Sequence, residues 1–169
     1  RVHERALAAA VEAGALREPA EDAARLAASA DVVMDGILGT GTSANPALRG
    51  GARDVVEAIL PALSARRRPL VVAVDLPSGI NPNDGSVPPV GDSGTGAVLP
   101  ADLTVTFGGY KAGLLIPPAS RLAGRVVLVD IGLGPELEKV EPVIRVPGGE
   151  VRPAPSRAGQ TGRTKPPSN

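Results

Sequence analysis

Four short runs of apolar residues recur along the chain and set the pattern of the fold. They lie at 32–34, 70–74, 103–106 and 126–129. In the first, second and fourth runs nearly every position is apolar, which is typical of strands buried on both faces of a parallel sheet. We therefore predict that the runs are strands of one mostly parallel sheet.

Helical patterns occupy the segment before the first apolar run and the segment between the first and second runs. Segments 2–13 and 21–30 are rich in Ala, and Gly14 follows the first of them where glycine commonly ends a helix. Segment 52–63 is amphipathic. Its apolar face is formed by Val55, Val56, Ile59 and Leu63. A helix between two apolar runs at this spacing forms a strand–helix–strand unit, so the pattern predicts an α/β fold.

Length and composition exclude several classes of protein. The 169 residues are enough for one domain that folds without covalent cross-links. The absence of cysteine excludes disulfides and thiolate metal sites, and a single histidine, His3, argues against a zinc site. Basic and acidic residues both number 18, so the net charge favours neither nucleic acid nor an anionic membrane. Phe107 and Tyr110 are the only aromatic residues, which argues against stacking on single-stranded nucleic acid.

The two ends of the chain differ from its middle. No apolar stretch has the length of a membrane span and no signal-peptide pattern opens the chain, so we expect a cytoplasmic protein. The chain starts at Arg1 inside a helical pattern, as a fragment would. Segment 151–169 is rich in proline and basic residues and has no acidic residue. We predict a folded domain over 1–145 and a disordered tail over 146–169, with a linker favoured over a contact with an anionic partner.

Three of the apolar runs are followed by an aspartate. These residues are Asp35, Asp75 and Asp130. Because ligands of open parallel sheets bind outside the carboxyl ends of the strands, each carboxylate is a candidate for holding a cation, a ribose hydroxyl or a proton. Each can instead cap a following turn, and for Asp130 this interpretation has at least the same weight as the functional one. Asp35 and Asp75 are stronger candidates because a glycine-containing loop follows each of them.

The loop after Asp35 is rich in glycine and hydroxyl residues. It reads Gly-Ile-Leu-Gly-Thr-Gly-Thr-Ser over 36–43, and Asn45 and Arg49 follow before the predicted helix. Glycines let backbone amides approach a phosphate, and hydroxyls and the helix N-terminus add donors and a favourable dipole. The pattern is neither a P-loop nor a dinucleotide fingerprint, and such loops are often only turns.

The loop after Asp75 begins Leu-Pro-Ser-Gly. The proline forces a sharp exit from the strand, which we expect to bring Ser78 close to the Asp75 carboxylate. Carboxylate, hydroxyl and carbonyl oxygens are hard donors, suited to an alkali or alkaline-earth ion. An ordinary Pro-Gly turn is the alternative.

Five segments, taken in order, carry a resemblance to a known family. They are Asp-Gly-Ile-Leu-Gly-Thr-Gly, Leu-Arg-Gly, Val-Ala-Val-Asp-Leu-Pro-Ser-Gly-Ile-Asn, Ala-Asp-Leu-Thr-Val-Thr-Phe-Gly-Gly-Tyr-Lys-Ala-Gly-Leu-Leu and Gly-Arg-Val-Val-Leu-Val-Asp-Ile-Gly. Together they resemble the NAD(P)H-hydrate epimerase family, also called the YjeF N-terminal domain, over most of 1–135. The resemblance implies a Rossmann-like three-layer αβα sandwich that interconverts the R and S epimers of hydrated NADH and NADPH (NADHX and NADPHX). This is a repair step before a dehydratase restores the cofactor.

The resemblance also implies roles for individual residues. Asp35 and Ser78 match potassium ligands, and Asp75 matches a direct substrate contact. As the only ionisable group expected beside the substrate, Asp75 is the candidate acid/base catalyst. The loop that holds the nucleotide corresponds to Gly39, Thr40, Gly41, Thr42, Ser43, Ala44 and Asn45. Lys111 is left open between facing the nucleotide and facing solvent. A homodimer and a functional link to an NAD(P)H-hydrate dehydratase are further partners that the resemblance allows.

One distinctive part of the family pattern is absent from the sequence. The upstream Gly-Asn-Asn-Gly-Gly-Asp-Gly loop does not occur, and we expect the first strand and helix of the sheet to be missing with it. An alternative function is therefore a non-catalytic module that binds nucleotide or a protein. A generic Rossmann dehydrogenase or methyltransferase is a third interpretation, against which the missing dinucleotide fingerprint argues.

Overall fold

The computed structural model describes residues 3–42, 45–88 and 97–144. Its centre is a four-stranded sheet with flanking helices, in which every neighbouring pair of strands is parallel and the order is β1-β2-β3-β4. The strands are β1 (Val32–Asp35), β2 (Leu70–Val74), β3 (Leu103–Phe107) and β4 (Arg125–Val129). The predicted α/β class and Rossmann-like parallel sheet are confirmed. The predicted tail, 146–169, lies outside the described residues.

The three predicted helices are present, with changes at their ends, and a short fourth helix that the sequence did not predict follows β4. The helices are α1 (Glu4–Glu12), α2 (Ala23–Ser29), α3 (Gly50–Ile59) and α4 (Gly134–Leu137). A 3₁₀ turn, Ala20–Asp22, precedes α2, and another, Leu60–Ser64, continues α3. The α-helical part of α3 ends before Pro61 because proline has no amide hydrogen to donate to the preceding turn.

The hydrophobic core covers one face of the sheet in two parts. One part packs α3 on β2 and consists of Leu48, Val56, Val71, Ala97 and Leu99. The other is built largely from the segments that follow β2 and β3, and consists of Leu76, Ile80, Val98, Leu114, Ala119 and Ala123. Side-chain alternation and the strand register place Val71 and Val126, which contact the two parts, on the same face. The loops at the carboxyl ends of β2 and β3 are therefore part of the core.

The opposite face of β1 is open. Val32 is 50% exposed and Met34 is 69% exposed, and Leu70 on the neighbouring strand is 46% exposed. The expectation of burial on both faces is therefore wrong for the first run and for the start of the second, and no residue of β4 in the fourth run is fully buried. An unbroken apolar run shows that both faces of a short strand could be buried. Whether they are buried depends on which elements pack against each face. None of the helices in the described ranges has the length and apolar character that a membrane span requires.

An ion pair fixes β2 against β3 at their amino ends. The Arg68 guanidinium donates to both oxygens of Asp102, at 2.8 and 2.5 Å, and the Val71 amide donates to Asp102 Oδ2 at 2.9 Å. The hydrogen bond from Arg68, with a smaller effect from the Val71 amide, holds the pKa of Asp102 below its ordinary value. This bidentate contact defines the relative position of the two strands at the end of the sheet opposite the candidate site.

Candidate functional site

The candidate site lies where the parallel strands end. Asp35 is the last residue of β1, Asp75 directly follows β2, and Asp130 directly follows β4. Asp130 is exposed, and its Oδ1 accepts a hydrogen bond from the Gly132 amide at 2.8 Å. That contact has the geometry of a turn cap, the second of the two interpretations that the sequence left open. The other two aspartates have extensive contacts with neighbouring loops.

Asp35 forms a buried pair with Ser78. The Ser78 hydroxyl donates to Asp35 Oδ1 at 2.6 Å, and the Ser78 amide donates to Oδ2 at 2.7 Å. Asp35 is 2% exposed and Ser78 is fully buried. The Ser78 hydroxyl also accepts a hydrogen bond from the Leu38 amide at 2.9 Å, which holds the loop after β1 against the loop after β2. The structure thus brings the two predicted potassium ligands together, and the carboxylate that Ser78 contacts is Asp35 rather than Asp75.

The chemistry of this pair suits a cation. The Asp35 carboxylate is buried, and within the described ranges it has no ion-pair partner among basic side chains. A buried carboxylate that lacks a positive partner is costly, so a bound cation would offset its charge. Carboxylate and hydroxyl oxygens are suitable donors for a hard ion. The described residues contain no cluster of three or more His, Cys, Asp or Glu side chains that could hold a metal.

Asp75 has an unusual backbone conformation. Its φ angle is 72°, and it is the one residue other than glycine with positive φ in the described part of the chain. Its amide still donates to the Val105 carbonyl at 2.8 Å, so the residue turns away from the sheet directly after a hydrogen bond of the sheet type. Non-glycine residues at positive φ cost free energy, and they often occur where a side chain must be aimed at a ligand.

The Asp75 carboxylate belongs to a polar network with β3 and the loop after it. Its Oδ1 accepts from Thr106 Oγ1 at 3.1 Å, from the Phe107 amide at 3.3 Å and from Lys111 Nζ at 2.5 Å. Lys111 Nζ also contacts Thr106 Oγ1 at 3.0 Å and the Phe107 carbonyl at 2.8 Å. The side chains of Lys111 and Asp75 are 17% and 20% exposed, so the ion pair is shielded but accessible from one side.

Sequence reasoning left Lys111 unassigned, and the structure gives it a partner. Composition gave no signal for it, because Lys139, another of the three lysines, is exposed and pairs with Glu136 at the surface. The pairing of Lys111 with Asp75 could not be read from the sequence because the two residues are 36 positions apart.

A cleft of about 550 Å³ lies at the carboxyl ends of the strands, and Lys111 is the member of this network among its described lining residues, whereas Asp75 is not one of them. Thr40 contributes from the loop after β1, Asn83 from the loop after β2, and Lys111 from the loop after β3. Leu137 and Val140, which follow β4, form part of an apolar wall. The cleft is therefore large enough for a small organic ligand and brings three strand-end loops to one place.

The predicted nucleotide loop is described in part. Thr40–Thr42 form a 3₁₀ turn, and Gly39 and Gly41 are exposed on either side of Thr40. Asn45 is also exposed. Ser43, Ala44 and the side chain of Thr42 lie outside the described residues. Thr40 is thus the described member of this loop that lines the cleft together with Lys111.

The parallel sheet, with carboxylates and a glycine-rich loop at its carboxyl end, defines a Rossmann-like α/β protein, a class in which ligands bind at the strand ends. Within that class, the family model described as "YjeF-related protein N-terminus" matches residues 1–113. The chain belongs to this family. The predicted resemblance is therefore confirmed.

Curated relatives carry names that agree with this family. The NAD(P)H-hydrate epimerase of Clavibacter michiganensis subsp. michiganensis is 48% identical over 150 residues, covering 86% of this chain and 62% of the relative. That of Microbacterium testaceum is 46% identical over 165 residues, covering 98% of this chain and 60% of the relative. A bifunctional NAD(P)H-hydrate repair enzyme Nnr of Mycobacterium tuberculosis is 39% identical over 135 residues, covering 79% of this chain and 23% of the relative. The chain thus spans about 60% of the length of the two epimerases.

Proposed function

We propose that this domain epimerises the R and S forms of hydrated NADH and NADPH, with Asp75 as its catalytic acid/base. The observation that carries the proposal is the ion pair of the Asp75 carboxylate with Lys111, a residue that lines a cleft together with the loop after β1. Two relatives of 46% and 48% identity named NAD(P)H-hydrate epimerase support the same reaction. The proposal covers a domain over 1–145, since β4 and α4 complete the described sheet and cleft.

Inversion of the hydrated carbon needs a positioned proton carrier. The hydroxyl can leave and return on the opposite face, or the ring can open and close, and both routes transfer a proton to and from oxygen. A carboxylate that takes the proton and returns it leaves the overall reaction balanced. Asp75 is suited to this step because it combines partial exposure with a fixed orientation.

The remaining predicted residues would bind the nucleotide. The exposed backbone at Gly39 and Gly41 and the Thr40 hydroxyl are suited to a phosphate, because glycines let amides approach an anion closely. Ser43, Ala44 and Asn45 stay in the proposed loop on the resemblance alone. A functional link to a dehydratase is proposed from the bifunctional relatives, while a homodimer and a cytoplasmic location stay predictions.

We include a potassium ion in the proposal, with Asp35 and Ser78 as two of its ligands. The buried carboxylate without a described ion-pair partner supports this, as do the hard oxygen donors. Such an ion would neutralise local charge and hold the two loops together rather than act as a strong Lewis acid.

The proposed reaction predicts faster epimerisation than the spontaneous background. The purified chain would be incubated with one epimer of hydrated NADH in potassium buffer, and the epimer ratio followed by chromatography. A boiled sample gives the background rate. Nucleotide binding by a folded chain without any acceleration would favour the binding module instead.

The proposed ion predicts a stability that depends on potassium. At equal ionic strength, the free energy of unfolding should be about 1–3 kcal/mol higher in a potassium salt than in a choline salt. This holds when the potassium concentration is about 10- to 100-fold above the dissociation constant of the ion. Thermal unfolding in the two salts measures this difference, and Asp35→Asn should remove it. Equal stability of the wild-type chain in both salts would eliminate the ion from the proposal.

A further inference from the structure

We propose that Lys111 is a positioning residue of the epimerase site, which fixes Asp75 through Oδ1 so that Oδ2 is the oxygen that exchanges a proton with the substrate. This inference rests on the proposed function. It assigns Lys111 a role that the sequence could not, and it distinguishes the two oxygens of the Asp75 carboxylate.

The first argument is the number of donors on Lys111. An ammonium group has three N–H donors and no acceptor. The structure gives Lys111 Nζ three acceptors, which are Asp75 Oδ1 at 2.5 Å, Thr106 Oγ1 at 3.0 Å and the Phe107 carbonyl at 2.8 Å. All three donors are therefore used inside the protein. In this arrangement Lys111 has none left for a substrate, although the residue lines the cleft.

The second argument is the asymmetry of the Asp75 carboxylate. Oδ1 accepts hydrogen bonds from Thr106, Phe107 and Lys111. Across the described ranges no donor contacts Oδ2. A carboxylate with three donors on one oxygen cannot rotate without breaking them, so the other oxygen has a fixed direction. That oxygen keeps its acceptor capacity for a hydroxyl or a water molecule.

The third argument is the rigidity of the chain that carries Lys111. The Leu114 amide donates to the Lys111 carbonyl at 3.0 Å, and the Gly113 amide donates to the Pro82 carbonyl at 2.7 Å. A Cβ atom at Gly113 would contact the Asn81 carbonyl oxygen, so the backbone there is packed too closely for any other residue. Lys111 is therefore fixed at both its main chain and its ammonium group, as a residue that positions another must be.

These contacts predict which kinetic constant depends on Lys111. Removal of the ammonium group would free the Asp75 carboxylate to rotate, and displacement of a catalytic group by about 1 Å can cost about 100-fold in rate. Substrate binding should change little, because Lys111 has no donor for the substrate. Lys111→Met should thus lower kcat about 100-fold and leave KM within about threefold.

The absence of cysteine allows a sharper experiment than substitution alone. In Lys111→Cys the new thiol is the only one in the chain, so alkylation is confined to this position. Treatment with 2-bromoethylamine gives a side chain that ends in an ammonium group, whereas 1-bromopropane gives one of the same length without charge. Kinetics of both products are compared with wild type, Lys111→Met and the control Lys139→Met. Lys139 is an exposed residue that pairs with Glu136 at 2.9 Å.

Recovery of kcat by the aminoethylated protein but not by the propylated one is the expected result. An unchanged kcat in Lys111→Met would overturn the inference and leave the proposed function intact. A raised KM at constant kcat would overturn it as well, because it would place Lys111 on the substrate. Absence of any acceleration by the folded wild-type chain would overturn the proposed function itself, and this inference with it.

Discussion

Replacement of Asp75 by Asn is expected to slow epimerisation by about 10²- to 10⁴-fold, the range that a general acid/base usually contributes. The amide has the shape of the carboxylate, and its oxygen can still accept from Thr106 and Phe107. It cannot take up a proton at Oδ2 and return it. The folded state should therefore survive while turnover does not. The rate is measured by chromatography from a single epimer of hydrated NADH.

Asp130→Asn is the matched control for this substitution. It places the same amide after β4, another strand of the sheet, where the native carboxylate is exposed and, among the described residues, accepts from the Gly132 amide in a turn. Activity should stay close to wild type in this variant. If Asp75→Asn retained most of the wild-type rate in a folded protein, Asp75 would not be the proton carrier, and the reaction would have to depend on another group.

Replacement of Asp35 by Ala is expected to lower the free energy of unfolding by about 2–4 kcal/mol. The Ser78 amide and hydroxyl both donate to this carboxylate, and both are buried. Alanine would leave these two donors without an acceptor, and each unsatisfied buried group costs about 1–3 kcal/mol. Urea unfolding followed by circular dichroism measures the change.

Asp31→Ala serves as the comparison for the stability measurement. The Asp31 side chain is 85% exposed and pairs with an equally exposed Arg67, so its loss should change stability by no more than about 0.5 kcal/mol. If Asp35→Ala lowered the free energy of unfolding no more than Asp31→Ala does, the pair of Asp35 with Ser78 would contribute little to stability. The two loops would then have to be held together by their apolar contacts alone.

The strands could be predicted from the sequence to within about one residue at each end, because the apolar runs are short and rich in β-branched residues, which favours a strand over a helix. In β3 the polar side chains, which an alternating pattern normally places at the surface, are buried. Its threonines alternate with apolar residues, and Thr104 and Thr106 are fully buried rather than at the surface. The Thr104 hydroxyl is satisfied by the Ala123 carbonyl at 2.6 Å, a contact that depends on the path of the chain after β3.

The side-chain partners at the site were harder to predict than the strands that carry them. The sequence places Ser78 three positions after Asp75, which suggested a contact between them. Instead Ser78 contacts Asp35, 43 positions away, because the register of β1 against β2 brings the end of β1 to the loop after β2. The candidate residues were therefore identifiable from their types, whereas their pairing required the three-dimensional register.

The loops that form the site also form one of the two parts of the hydrophobic core. Opening of the site is therefore coupled to loss of core packing. Leu76 and Ile80 lie in the loop after β2, close in sequence to Asp75 and Ser78. Leu114 follows Lys111 closely in the loop after β3. All three side chains are buried in one cluster. In many enzymes the ligand-binding loops belong to the least stable part of the fold and open without disturbing the rest. Here the same segment that aims the carboxylate also excludes water from the sheet. Local opening would therefore expose core, so the site and that part of the core should unfold as one unit.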